Sequence, residues 1–316
     1  MKPWWKRKES GSLLGMKILF FTYRWLGRWV FVSLLWPVIV YFFVTGISAR
    51  KASLAFLQQV DSAKALGVSS KMGMLRLSLK QFFTFGDLML DKLAVWFGCL
   101  DVPVHTHGFD ALKALIAEGT GGIIFVSHLG NTEISMALAE RWGVAKVNAM
   151  VHTQHAEKFN AMLADVSGEH SVNLIQVQEI NPATAMLLDE KLQRGEVVAI
   201  AADRTAVVDP SSGVKPRNIY ANFLGKPAPF PMGPFVLSAL LKRPVFFLCS
   251  VKSADRYDIY LEKFSDQIVM QRKAREASLQ PYVQQYADRL GDFAQRYPLQ
   301  WGNFYDFWQA EDIASR

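Results

Sequence analysis

Cysteine is scarce in this chain of 316 residues: there are two, Cys99 and Cys249. Both lie in apolar surroundings without metal-ligand spacing, which excludes a cysteine metal set and makes buried thiols the direct reading. A disulfide between them stays open. The six histidines do not supply a metal set either. His105 and His107 share a face if extended, and His152 and His155 sit three apart. Neither pair has a nearby Cys or carboxylate to complete it, so no metal is expected. There is no internal repeat, low-complexity tract or clean interdomain linker. The basic residues are scattered and no nucleic-acid-binding module is visible, which argues against nucleic acid as partner.

Hydrophobic residues, in contrast, make up 51% of the chain and aromatics 13%, with nine Trp and 22 Phe. That is rich for a purely soluble protein. A net charge of +7 suits an anionic lipid surface or an acidic protein partner. The amino terminus carries this character most strongly. Residues 2–8 are basic and aromatic (Lys2, Trp4, Trp5, Lys6, Arg7, Lys8), and Ile18 to Ile47 is almost entirely apolar apart from Arg24 and Arg28. The uncharged run from Trp29 to Ile47 has about the length a helix needs to cross a bilayer, with a kink expected at Pro37. Arg24 and Arg28 can snorkel to phosphates while Trp25 and Trp29 sit at headgroup level. A cleaved signal peptide fits poorly, because no clear small-residue cleavage site follows. A helix lying in the interface remains the alternative to a spanning anchor.

The chain divides into residues 1–48, a basic and aromatic leader with a membrane-anchor helix, residues 49–120, an apolar helical segment, and residues 121–316, an α/β domain. In the last, strands expected at 121–128, 145–151, 172–177 and 197–202 alternate with helices at 131–141, 155–166 and 182–194. This spacing predicts a mostly parallel central sheet flanked by helices. Segments 244–251 and 257–264 read as a hairpin. An amphipathic helix over 280–296 precedes an aromatic tail from Trp301 to Trp308.

The most informative stretch is Gly121-Gly-Ile-Ile-Phe-Val-Ser-His-Leu-Gly-Asn-Thr-Glu133. A strand-type run ends on His128, Gly130 turns the chain, and Asn131 suits a helix N-cap. Glu133 falls in the helix's first turn, where the macrodipole favours a carboxylate. Both side chains would face the crevice at the carboxyl ends of the strands. A carboxylate holding one imidazole nitrogen leaves the other as a base, and no serine or cysteine nucleophile is placed to work with the pair. The proton to be removed can therefore belong to a substrate hydroxyl. A second cluster, Ala201-Ala-Asp203-Arg204, again ends an apolar strand in polar residues. A third, Phe223 to Pro234, contains Gly225 and Gly233; its prolines preset an extended segment and Pro234 suits a first helical position.

Ser-His-Leu-Gly-Asn-Thr-Glu after a buried strand resembles the signature of the lysophospholipid acyltransferase superfamily. In its His-x-Gly-Asn-x-Glu form it is similar to the branch with the bacterial lipid A late acyltransferases. The other two clusters match that branch's segments in order, over residues 121–250. The resemblance implies acyl transfer from an acyl carrier protein thioester to a hydroxyl of a lipid or glycolipid, at the bacterial inner membrane with the catalytic domain facing the cytoplasm, and no dissociable cofactor. It implies His128 as general base oriented by Glu133. It also implies substrate contacts from Gly130, Asn131, Asp203, Arg204, Gly225 and Gly233, with Arg204 or the backbone N–H groups near Gly130 and Asn131 stabilising the oxyanion. The chain departs from the pattern after the second strand, where those enzymes carry an arginine. Here Val151 to Asn160 offers only His152 and Lys158, which puts lipid A itself in doubt as acceptor. The aromatic ends look more like relatives from polyene-pigment or other specialised glycolipid pathways. An acyl thioester hydrolase and a non-catalytic membrane-binding relative are the competing expectations.

Overall fold

The computed structural model describes residues 30, 32–33, 35–64, 66–68, 70–96, 99–100, 102–141, 143–151, 173–176, 182–204 and 217–308. The leader at 2–8, the helix expected at 155–166, and His152, His155 and Lys158 lie outside them. In chain order the helices are α1 (Leu35–Thr45), α2 (Ile47–Lys64), α3 (Lys71–Trp96), α4 (Asp110–Ala117), α5 (Thr132–Arg141), α6 (Pro182–Gln193), α7 (Gly233–Leu241) and α8 (Arg275–Arg296). The strands are β1 (Val104–His107), β2 (Ile123–Val126), β3 (Val147–Val151), β4 (Asn173–Gln176), β5 (Val197–Ala201), β6 (Asn218–Phe223), β7 (Lys226–Pro231), β8 (Val245–Ser253) and β9 (Arg256–Ser265).

Seven strands form one sheet in the order β1-β9-β8-β2-β5-β3-β4. Every neighbouring pair is parallel except the β8–β9 hairpin. The chain is thus an α/β protein with a mostly parallel sheet flanked by helices. The central strands read Ile-Ile-Phe-Val and Val-Val-Ala-Ile-Ala because both faces are covered, so neither face tolerates polar alternation. Side chains still divide by parity. Ile123, Phe125, Val198, Ile200 and Phe247 join one core with α7, α8 and α2, while Ile124, Val126, Val197, Ala199 and Phe246 join a second with Leu88, Leu112 and Ile134.

Three features differ from the sequence expectation. The stretch 49–120, expected to be helical, contains the edge strand β1, whose residues after Val104 are exposed and so carry little apolar signal. The proline-rich third cluster is an antiparallel β6–β7 hairpin. Its inward residues Ile219, Ala221 and Phe223 alternate with outward ones, and Leu224 and Gly225 turn it with positive φ at both positions. The long carboxyl-terminal helix starts at Arg275, with Pro281 inside it, and its Gln280 and Gln284 hold the backbone of Tyr220 and Asn222.

Of the expected anchor at 29–47, the described residues hold a bent apolar pair of helices, α1 and α2. Among the described residues no single helix is long and apolar enough to cross a membrane. α1 ends just before Gly46, near the end of the apolar run, and α2 sets off from it at 87°. Beyond the bend α2 turns amphipathic and sends Phe56, Leu57 and Val60 into the main core. α1 packs on α3 through Phe43 against Phe82 and Ile39 over Gly86, where a side chain would collide with it.

α8 also supports the central strand. Tyr286 is fully buried and its hydroxyl donates to Val126 O at 2.8 Å, an oxygen that Ala202 N–H also reaches at 3.0 Å. Tyr286→Phe removes one of two donors to that carbonyl. The expected cost is about 1 kcal/mol in urea unfolding, with the fold retained.

Candidate functional site

β2 and β5 are parallel neighbours, and their register pairs Val126 with Ala201. Two residues further along each strand stand His128 and Asp203, so the register brings them side by side at the carboxyl edge. His128 Nδ1 lies 2.8 Å from Asp203 Oδ1, and the His128 backbone N–H donates to Asp203 Oδ2 at 2.8 Å. Asp203 has no exposed surface, whereas the His128 side chain is 35% exposed. An ionised carboxylate only accepts, so Nδ1 is the nitrogen that carries the proton in the neutral imidazole, the form in which Nε2 has a lone pair to act as a base.

The ionised state of Asp203 follows from its surroundings. Burial favours the neutral acid, but the His128 charge, the imidazole hydrogen bond, the Arg204 charge and the His128 backbone N–H together outweigh it, and the carboxyl is held below the usual range. Asn303 Nδ2 adds a donor to Oδ2 at 3.2 Å. Arg204 does not stand alone: its Nε donates to Asn303 Oδ1 at 2.6 Å, a terminal nitrogen donates to Gly302 O at 3.3 Å, and the guanidinium lies over the Tyr305 ring.

The expected orienting role of Glu133 is therefore corrected: Asp203 holds Nδ1. Glu133 sits in the first turn of α5 as expected, but it forms an ion pair with Lys92 of α3. Burial would raise its carboxyl; the Lys92 charge and hydrogen bond, its own N–H and the His128 charge bring it below the ordinary value. It is close enough to feel the imidazole without ligating it.

Two of the expected oxyanion donors, the N–H groups of Gly130 and Asn131, are engaged elsewhere. Gly130 N–H donates to Gln300 O at 2.9 Å and Asn131 N–H to Ser250 O at 2.8 Å. Gly130 is required for fold geometry, since its φ is +74° and a Cβ would stand 1.9 Å from Ser250 O. Asn131 caps α5 through its backbone oxygen, while its side chain donates to Leu88 O on α3. Ser127 is buried, and its hydroxyl accepts from Leu129 N–H. Gly225 occupies the β6–β7 turn beside Gln59 of α2. Gly233 opens α7, whose Phe235 packs on Phe125.

Asn303, Gly302 and Lys92 belong to this cluster, though no sequence signal marked them. Asn303 lies inside the aromatic tail 100 residues past Asp203, and Lys92 inside a helix whose apolar spacing speaks only of packing. Both cysteines are free, and burial pushes the Cys249 thiol well above its ordinary value. Among the described residues no group of three or more His, Cys, Asp or Glu side chains is placed to hold a metal. His107 instead meets Asp258 at 3.2 Å and stacks on Tyr260.

The fold and this cluster define an α/β protein with a carboxylate-held histidine at the carboxyl edge of its sheet. Such an imidazole can accept a proton from a hydroxyl or water and return it. No protein-family model and no curated protein matches the chain.

Because the folded-state value of Asp203 lies below the unfolded value of about 3.9, its charge adds stability above that pH, and the contribution disappears as pH falls through the folded value. Asp203→Asn should accordingly be less stable than wild type at pH 7, with the gap narrowing below about pH 4. Urea midpoints between pH 3 and 7 read this directly; a gap that ignores pH would show that Asp203 is not ionised in the native state.

Proposed function

We propose that the protein is a membrane-bound O-acyltransferase that moves a fatty acyl chain from an acyl carrier protein thioester to a hydroxyl of a lipid or glycolipid. The observation that carries this reading is the half-exposed imidazole of His128, its Nδ1 committed to buried Asp203 and its Nε2 left as a base. The motif resemblance, which names acyl transfer as the chemistry of a His-x-x-x-x-Glu segment in this place, supports it. So does α1, which exposes Trp36, Val38, Tyr41, Phe42 and Val44. A helix apolar on its outer face as well as its packed one suits lipid. No acidic residue occurs between Glu9 and Asp61, while Lys17, Arg24, Arg28, Arg50 and Lys51 do, a charge pattern suited to an anionic leaflet. The bacterial inner membrane, with the domain on the cytoplasmic side where carrier thioesters are made, is the corresponding location.

In the proposed reaction His128 Nε2 takes the proton of the acceptor hydroxyl as its oxygen bonds to the thioester carbonyl carbon. The tetrahedral intermediate collapses, the C–S bond breaks, and the imidazolium returns the proton to the departing thiolate. Asp203 stabilises the transient imidazolium and Glu133 adds negative potential beside it. Arg204, tied to Asn303 and Gly302, is not assigned the oxyanion.

Membranes bearing wild type or His128→Ala, supplied with labelled acyl carrier protein thioesters and a native lipid extract, test the reading. Label should enter lipid with wild type and fall at least about a hundredfold with the variant. Free labelled fatty acid as the product would make the protein a thioester hydrolase. Equal transfer by both proteins would remove His128 from the chemistry.

A further inference from the structure

The carboxyl-terminal segment does more than close the core. Trp301 bridges Leu129, Gln300 O receives the Gly130 N–H, and the Gln300 side chain accepts from Lys252 N–H and donates to Lys252 O. Gly302 N–H donates to His128 O at 2.8 Å, and a Cβ at Gly302 would stand 2.8 Å from that same oxygen. The segment is thus stitched to the loop that leaves β2 and to the end of β8, and this fixes the backbone from which Asn303 projects. Asn303 is 1% exposed and bonded at both ends of its amide. Its Nδ2 meets a group that only accepts, Asp203, and its Oδ1 meets a group that only donates, Arg204. Flipping the amide would oppose like to like on both sides, so its orientation is determined.

We propose that Asn303 is a positioning residue for His128: it links Asp203 to Arg204 in a four-member chain, His128–Asp203–Asn303–Arg204, that fixes the carboxylate's rotation and tempers the negative charge the imidazole meets. This rests on the reading of His128 as the base and adds to it a residue that touches no reacting atom. Without the amide, Asp203 Oδ2 loses its Asn303 donor and keeps the His128 N–H, the Arg204 Nε loses its Asn303 acceptor, and more of the carboxylate's charge falls on the imidazole. An aspartate in its place still pairs with Arg204 but opposes Asp203 with a like charge. Either change favours the protonated imidazole, which is the form that cannot act as base.

The test uses the full-length protein with 15N-labelled histidine, His128 being assigned by loss of its signal in His128→Ala. In Asn303→Asp the His128 titration, and the acid limb of kcat/KM for acyl transfer, should move upward by about one pH unit. In the milder Asn303→Ser the shift should have the same sign and be smaller. The kcat should fall about tenfold or more, as expected for losing a hydrogen bond to a charged group, with KM for the thioester little changed. A residue that merely ties down the chain terminus would lower stability and leave both titrations where they are. That result in either folded variant overturns the proposal. Because the imidazole titration needs no substrate, it stands even if the wild-type protein transfers no acyl group, and the two readings can fail separately.

Discussion

A carboxylate with no exposed surface persists as an ion only where its neighbours replace water, and Asp203 has that environment because two parallel strands end in register. The β2–β5 pairing sets His128 against it, so backbone and imidazole donors arrive from the same residue. The remaining compensation comes from Arg204 and from Asn303 in the carboxyl-terminal tail. Much of the surrounding architecture serves to keep these partners still. Tyr286 supports the end of β2 from one side of the sheet. On the other, α3 ties Asn131 through Leu88 O, Glu133 through Lys92, and Lys252 through Asp87 and Asp91.

α3 has a further consequence for the proposed chemistry. Its aromatic face joins α1 through Phe82 and Phe83 and joins the tail through contacts of Phe82 and Phe85 with Phe304. The same helix therefore touches the exposed apolar surface of α1 and the segment that completes the histidine cluster.

The sheet was legible because buried parallel strands leave short apolar runs, and 123–126, 147–151, 197–201 and 245–253 all do. His128 and Asp203 were legible as polar residues at strand ends. Their partnership was not, because it depends on β5 being inserted beside β2 ahead of β3, a non-local ordering that local periodicity does not encode. Glu133, five residues away, was the nearer choice by sequence, but the start of α5 turns it toward Lys92. The hairpin of β6 and β7 was hidden by its prolines and β1 by its exposed residues. Hydropathy marks the apolar run at 29–47 but not the 87° bend at Gly46, close to its end, where α2 sets off from α1.

The central claim is that His128 and Asp203 act as one unit, and a double-mutant cycle on acyl transfer tests it most directly. Rates would be compared for wild type, His128→Ala, Asp203→Asn and the double variant, each with its fold confirmed. If Asp203 works through the imidazole, removing it from a protein already lacking His128 should cost almost nothing, and the double variant should match His128→Ala. Losses that multiply would mean that Asp203 acts independently of His128, and would contradict the account.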